Sequence, residues 1–154
     1  MAKLKTPAKR RTGWNRAGVI WLAIITAGLW LSGVGMHLWA ADAAIDLPQW
    51  QDHARRISTV GHGVLAWFFC LLAGRWIWPH VSTVWRRRSP PMMRPLGQLT
   101  LFTVAVAALA GLGLLYGSPP WRDHLAAVHW WIALFWPLLA GAHVAWYWMT
   151  DPKK

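Results

Sequence analysis

The chain contains no glutamate, and its acidic residues amount to five aspartates. A soluble domain needs far more polar surface than this. With more than half of its residues apolar and fifteen tryptophans, the composition is that of a membrane protein. A single cysteine, Cys70, excludes an internal disulfide and any CxxC metal or redox motif; set within an apolar run, it reads as a packing thiol. A continuous basic stripe is also lacking. The net charge of +11 comes from short basic runs between long apolar segments, which argues against nucleic acid as a partner. There is no internal repeat and no low-complexity segment.

What is present is four apolar stretches at residues 17–40, 57–79, 96–117 and 124–150, each long enough to cross a bilayer. They are separated by turn-forming DLPQWQD, RRRSPPMMRP and GSPPWRD. Residues 1–154 therefore read as one domain, an all-α, integral membrane four-helix bundle. The basic leader and the late AADA of the first stretch resemble a signal peptide, but the apolar run exceeds the usual signal core and is read as a retained helix.

Charge sets the expected orientation. Lys3, Lys5, Lys9, Arg10, Arg11 and Arg16 precede the first span, Arg86, Arg87, Arg88 and Arg94 separate the second from the third, and Lys153 and Lys154 close the chain. The other two connections carry Asp42, Asp46, Asp52 and Asp123 against Arg55, Arg56 and Arg122. The positive-inside rule then puts both termini in the cytoplasm and the acidic-leaning loops outside. Trp14, Trp39, Trp50, Trp76, Trp78, Trp85, Trp121, Trp146 and Trp148 fall near span ends, as interfacial belts require.

Histidines in hydrocarbon are costly and need partners. On this topology His37, His62 and His129 share one level near the outer surface. His143 follows His129 by fourteen residues, close to four whole turns on the same helix face and about 21 Å deeper. Two imidazoles meeting from adjacent helices at one depth can hold a porphyrin iron from both sides. Zinc is a weaker reading, since Asp52 and His53 are the only nearby groups that could complete a four-ligand site. Gly61 and Gly63 flank His62, and Gly141 and Ala142 precede His143, so a flat macrocycle could press against backbone there; small residues also serve plain helix packing. Trp136 lies midway between His129 and His143 and reads as core packing, with a place between two cofactors as the alternative. Pro137 is expected to bend its helix.

HGVLAWFFCLLAGRWIW in span two, RPLGQLTLF and AGLGLL in span three, and HWWIALFWPLLAGAHVA in span four together resemble the bacterial four-helix cytochrome b family. That family includes membrane subunits of nickel-iron hydrogenases and formate dehydrogenases, thiosulfate reductase anchors, and superoxide oxidase. The resemblance covers about the whole chain, and the spacing of the span-four histidines is its most specific element. It implies two b haems, one near each face, with His62 and His129 as axial ligands of the outer one and His143 as one ligand of the inner one. Arg75 matches an arginine that follows the family's span-two histidine. The chain departs from the pattern in span one, where Ile20 and Trp21 stand in place of a histidine-tryptophan pair. The inner haem then lacks its second ligand. Either it is absent and His143 hydrogen-bonds a quinone or is a relic, or it is held by His143 alone, or His80 substitutes, five turns beyond His62 but about 6 Å out of level with His143. His37 matches no family ligand; it competes with His62 as partner of His129, bonds a propionate or quinone, or snorkels to water. Arg55, Arg56 and Arg122 are expected to face propionates or an acidic partner, and Arg75 an inner anion or the inner surface.

Bis-histidine ligation leaves no open position on iron, so the expected role is electron transfer. Nothing in the chain would house flavin, molybdenum or iron-sulfur clusters. The expectation is a haem b subunit of the bacterial inner membrane that passes electrons between a periplasmic iron-sulfur or cytochrome partner and the quinone pool, more a carrier than an enzyme. A free-standing superoxide:quinone oxidoreductase and a haem-free membrane anchor are the alternatives.

Overall fold

In the computed structural model, which describes residues 16–39, 48–85 and 92–150, every regular element is helical. Helix α1 spans Arg16–Leu38, α2 Gln49–Leu72, α3 Trp78–Trp85, α4 Met93–Tyr116 and α5 Pro119–Thr150, with a π-helical turn at Ala73–Ile77 linking α2 to α3. Since α2, the π turn and α3 follow one another without a break, the described residues form four rods, each long and apolar enough to cross a membrane. The basic leader, Asp42 and Asp46, Arg86, Arg87 and Arg88, and the Lys153 and Lys154 end lie outside the described residues.

Three boundaries differ from the sequence expectation, each for a local reason. Helix α2 starts at Gln49, inside the expected loop, because the Pro48 carbonyl accepts the Gln51 and Asp52 amides at 2.8 and 3.2 Å. Asp52 in that first turn complements the helix dipole and reaches Arg56 one turn on, at 3.3 Å. Helix α5 starts at Pro119, where proline suits a first turn because no N–H is needed, and the Ser118 carbonyl takes the Trp121 amide at 3.1 Å. The second rod passes through Pro79, which lacks an N–H for the Arg75 carbonyl and crowds it with its ring. The π turn spans Arg75, and its wider winding absorbs that misfit. Helix α5 likewise continues through Pro137.

The rods pair as two antiparallel hairpins, α1 with α2 and α4 with α5, joined by a slender contact of α1 on α5. Among the described residues only Ile25, Met93 and Ala110 are buried apolar side chains, whereas Trp67 and Leu115 are each 74% exposed. Lipid is as apolar as leucine, so such helices associate through close backbone approach and interhelical hydrogen bonds. Both occur here. A Cβ on Gly28 would come within 2.8 Å of Leu65, and one on Gly35 within 2.8 Å of Ser58. The Trp30 indole donates to the Leu134 carbonyl at 3.3 Å, tying α1 to α5, and the Trp136 indole donates to the Thr100 carbonyl at 3.0 Å, tying α5 to α4.

Candidate functional site

His62 of α2 and His129 of α5 face each other, with ring centres 6.1 Å apart and ring planes 75° apart. Each ring is fixed from behind by the neighbouring helix of its own hairpin. His62 Nδ1 lies 3.1 Å from the Leu29 carbonyl and 3.0 Å from the Ser32 hydroxyl; His129 Nδ1 lies 2.8 Å from the Ala107 carbonyl. A carbonyl only accepts, so Nδ1 carries the proton in both rings and the lone pair is on Nε2. The Ser32 hydroxyl donates to the Gly28 carbonyl at 2.7 Å, which leaves its oxygen to accept from His62. This is the arrangement that metal-ligating histidines use to set tautomer and ring orientation.

Glycine lets the rings sit there. A Cβ on Gly33 would lie 3.5 Å from His62 Cε1, and one on Gly111 would lie 3.2 Å from His129 Cε1. Fourteen residues along α5 the pattern recurs, for a Cβ on Gly97 would lie 3.1 Å from His143 Cε1. Gly111 and Gly97 are separated by the same step as His129 and His143, so antiparallel α4 offers a glycine to each histidine of α5. Gly61, Gly63 and Gly141, the small residues singled out beside the histidines in sequence, face no protein atom within 4 Å. Sequence neighbours on a helix point about 100° away from each other, so the glycine that meets a histidine must come from another helix.

Helices α2 and α5 run parallel in a common register. Phe69 and Trp136 meet two turns beyond His62 and His129, ring centres 6.2 Å apart and nearly perpendicular. The same step leads to Trp76 and His143, with His80 one turn further along. His80 and His143 are close enough to interact electrostatically. In contrast to the first pair, His143 Nδ1 is buried with no hydrogen-bond partner, as is Trp146 Nε1 one turn beyond it.

The remaining expected residues are dispersed. His37 is exposed and stacks on Trp130, ring centres 3.9 Å apart, while His62 takes the place opposite His129. Arg55, Arg56 and Arg122 are exposed on the early turns of α2 and α5 at the His62 end, where Arg56 is engaged by Asp52. Arg75 is exposed in the π turn, towards the other end of the second rod. Among the described residues no three histidine, cysteine or aspartate side chains converge, so the zinc alternative finds no ligand set there. Sequence reasoning missed the supporting residues Leu29, Ser32, Ala107, Gly33, Gly111 and Gly97. The RPLGQLTLF and AGLGLL segments, which hold Gly97 and Gly111, were visible, but assigning each to a particular histidine requires the hairpin register.

A haem iron fits the first pair. Two imidazole nitrogens at about 2 Å from a shared metal, with each ring centre about 1 Å further back, put the centres about 6 Å apart, and the observed separation is 6.1 Å. No family model, curated protein or solved structure matches the chain.

Proposed function

We propose that the protein is an electron carrier of the bacterial inner membrane that holds one b-type haem between His62 and His129 and links a periplasmic redox partner to the quinone pool. The observation that carries this reading is the opposed pair itself, 6.1 Å between ring centres with both Nδ1 atoms committed to backbone carbonyls. His62 and His129 would hold the haem, which would supply a one-electron couple and, held by both histidines, would offer no position for substrate. The chain's part is to hold both imidazoles in one tautomer, to raise their basicity through the Leu29, Ser32 and Ala107 acceptors, and to surround the site with apolar helix. Both termini then lie in the cytoplasm, with the His62 end outward. Arg55 and Arg122, exposed at that end, are counter-charges for propionates or for an acidic partner surface.

The same exposed arginines favour a second reading, a superoxide:quinone oxidoreductase that collects its anion at the outer face; Asp52 and Asp123 weaken the field. Purification distinguishes the two. A stable co-purifying redox subunit supports the carrier, and superoxide-dependent quinone reduction by the isolated chain supports the enzyme. The haem reading is tested by His129→Ala, which is expected to abolish the reduced-minus-oxidised α band in a protein that still inserts. An unchanged band would reject His129 as a ligand.

A further inference from the structure

The seam between α2 and α5 repeats its construction seven residues beyond the histidines. At the first level a ring of α5, His129, is anchored from behind by the Ala107 carbonyl of α4 at 2.8 Å and faces a ring of α2, His62. At the second level the Trp136 indole is anchored by the Thr100 carbonyl of α4 at 3.0 Å and faces Phe69 of α2. All three helices take the same step, from 62 to 69, from 129 to 136 and, in the antiparallel direction, from 107 to 100. Two helical turns, about 10 Å, separate the levels. The ring centres are 6.1 Å apart at the first level and 6.2 Å apart at the second, so α2 and α5 keep one separation between them.

This seam is not packed as the hairpins are. Glycines let helix backbones close up in lipid, as Gly28 and Gly35 do between α1 and α2. The backbones of α2 and α5 barely approach each other, and the two rods meet ring against ring. A metal shared by two imidazoles needs about 6 Å between ring centres, so the helices that carry them must be kept from closing and from drifting apart. An edge-to-face aromatic pair does both, because it favours centres roughly 5 to 7 Å apart and has a direction that aliphatic contact lacks. Phe69 stands at 87° to Trp136, and the bond to Thr100 keeps the indole from turning away.

We infer that Phe69 and Trp136 are positioning residues for the haem: their edge-to-face contact sets the α2–α5 separation at the value a metal shared by His62 and His129 requires. This rests on the reading of that histidine pair as a haem site. It gives Trp136 a task beyond filling the core, and it gives Phe69, which carries no polar group, a part in the site.

The test compares the full-length wild type in detergent with Phe69→Leu, Trp136→Leu and the double variant, in two ways. The first needs no haem. Nitroxides on Cys70, exposed beside Phe69 on α2, and on a Leu138→Cys variant, exposed two residues from Trp136 on α5, report the helix separation by pulsed electron resonance. Phe69→Leu, which keeps apolar bulk and removes the ring, is expected to broaden that distance distribution. The second readout is haem affinity, which each single variant should weaken by about two- to tenfold, the worth of one aromatic pair. The double variant should bind no more weakly than Trp136→Leu alone, because the pair is lost only once. The low-spin ferric resonance of the haem that remains in Phe69→Leu should also broaden, since the 75° between the His62 and His129 rings is no longer held. The inference is overturned if the nitroxide distribution is unchanged, if the two losses multiply in the double variant, or if the resonance keeps its wild-type shape. A chain that binds no haem but whose nitroxide distribution still broadens in Phe69→Leu would leave the spacer standing and remove the haem reading.

Discussion

On the proposed function Ser32 and Leu29 matter for His62, because the Nδ1–H of a ligating imidazole sets how much electron density the ring offers a metal. Ser32→Ala removes one of two acceptors and keeps the Leu29 carbonyl at 3.1 Å, so the haem is expected to stay bound. Its less basic ligand favours the ferrous state. The midpoint potential should therefore rise, by about 20 to 60 mV if the lost bond is worth about 0.5 to 1.4 kcal/mol in a one-electron couple. Potentiometric titration of the α band reads this directly, and a fall in potential would contradict the assigned tautomer. The near-perpendicular rings add a spectroscopic expectation, a strongly anisotropic low-spin ferric signal in electron paramagnetic resonance. At this scale the sequence marked the two candidate histidines and was silent about their supports. His62 and His129 are polar residues in apolar spans, whereas the carbonyls of Leu29 and Ala107 belong to residues with no chemical signature. Ser32 carries a hydroxyl but matches no motif, and nothing in the order of residues says that its oxygen meets a ring thirty positions away.

The helices place those residues through close approach, and the glycines mark where approach is required. Gly111→Leu is expected to drive His129 off its axis and lower haem content at least severalfold, because even a single Cβ already lies 3.2 Å from the ring. Gly63→Ala is expected to leave haem content unchanged, since a Cβ there meets no protein atom within 4 Å. Haem extracted from equal amounts of inserted protein checks both, and equal loss in the two variants would contradict the register. The four spans were legible because apolar length is a composition signal. Their ends were less so. Asp52, His53, Arg55 and Arg56 read as loop by polarity yet form the first turns of α2, where a carbonyl at Pro48 and an aspartate near the helix start outweigh it. Pro79 read as a stop, but a π turn one step earlier carries the helix past it. Proline marks the place of a disturbance and leaves open whether the backbone breaks or rewinds.

For the whole molecule, two hairpins meet along α5, which contacts α1 through the Trp30–Leu134 and His37–Trp130 pairs and α2 through the His62–His129 and Phe69–Trp136 pairs. A cofactor between α2 and α5 would therefore bind the hairpins to each other. Haem-depleted protein is expected to lose cooperative unfolding between the hairpins and to melt at a lower temperature than the loaded form, in line with ligand linkage; identical melting curves would oppose a haem at this seam. Charge asymmetry predicts the orientation, so a reporter fused after Lys154 should be active only in the cytoplasm. Activity on the outer side would reverse the assignment of the two ends. The central claim, one haem clamped by His62 and His129, is tested most directly by pyridine haemochrome analysis of the wild type and three variants. The account predicts one haem per chain, none in His62→Ala or His129→Ala, and an undiminished ratio in His143→Ala. A wild-type ratio of two, or a ratio that survives loss of either His62 or His129, would contradict it.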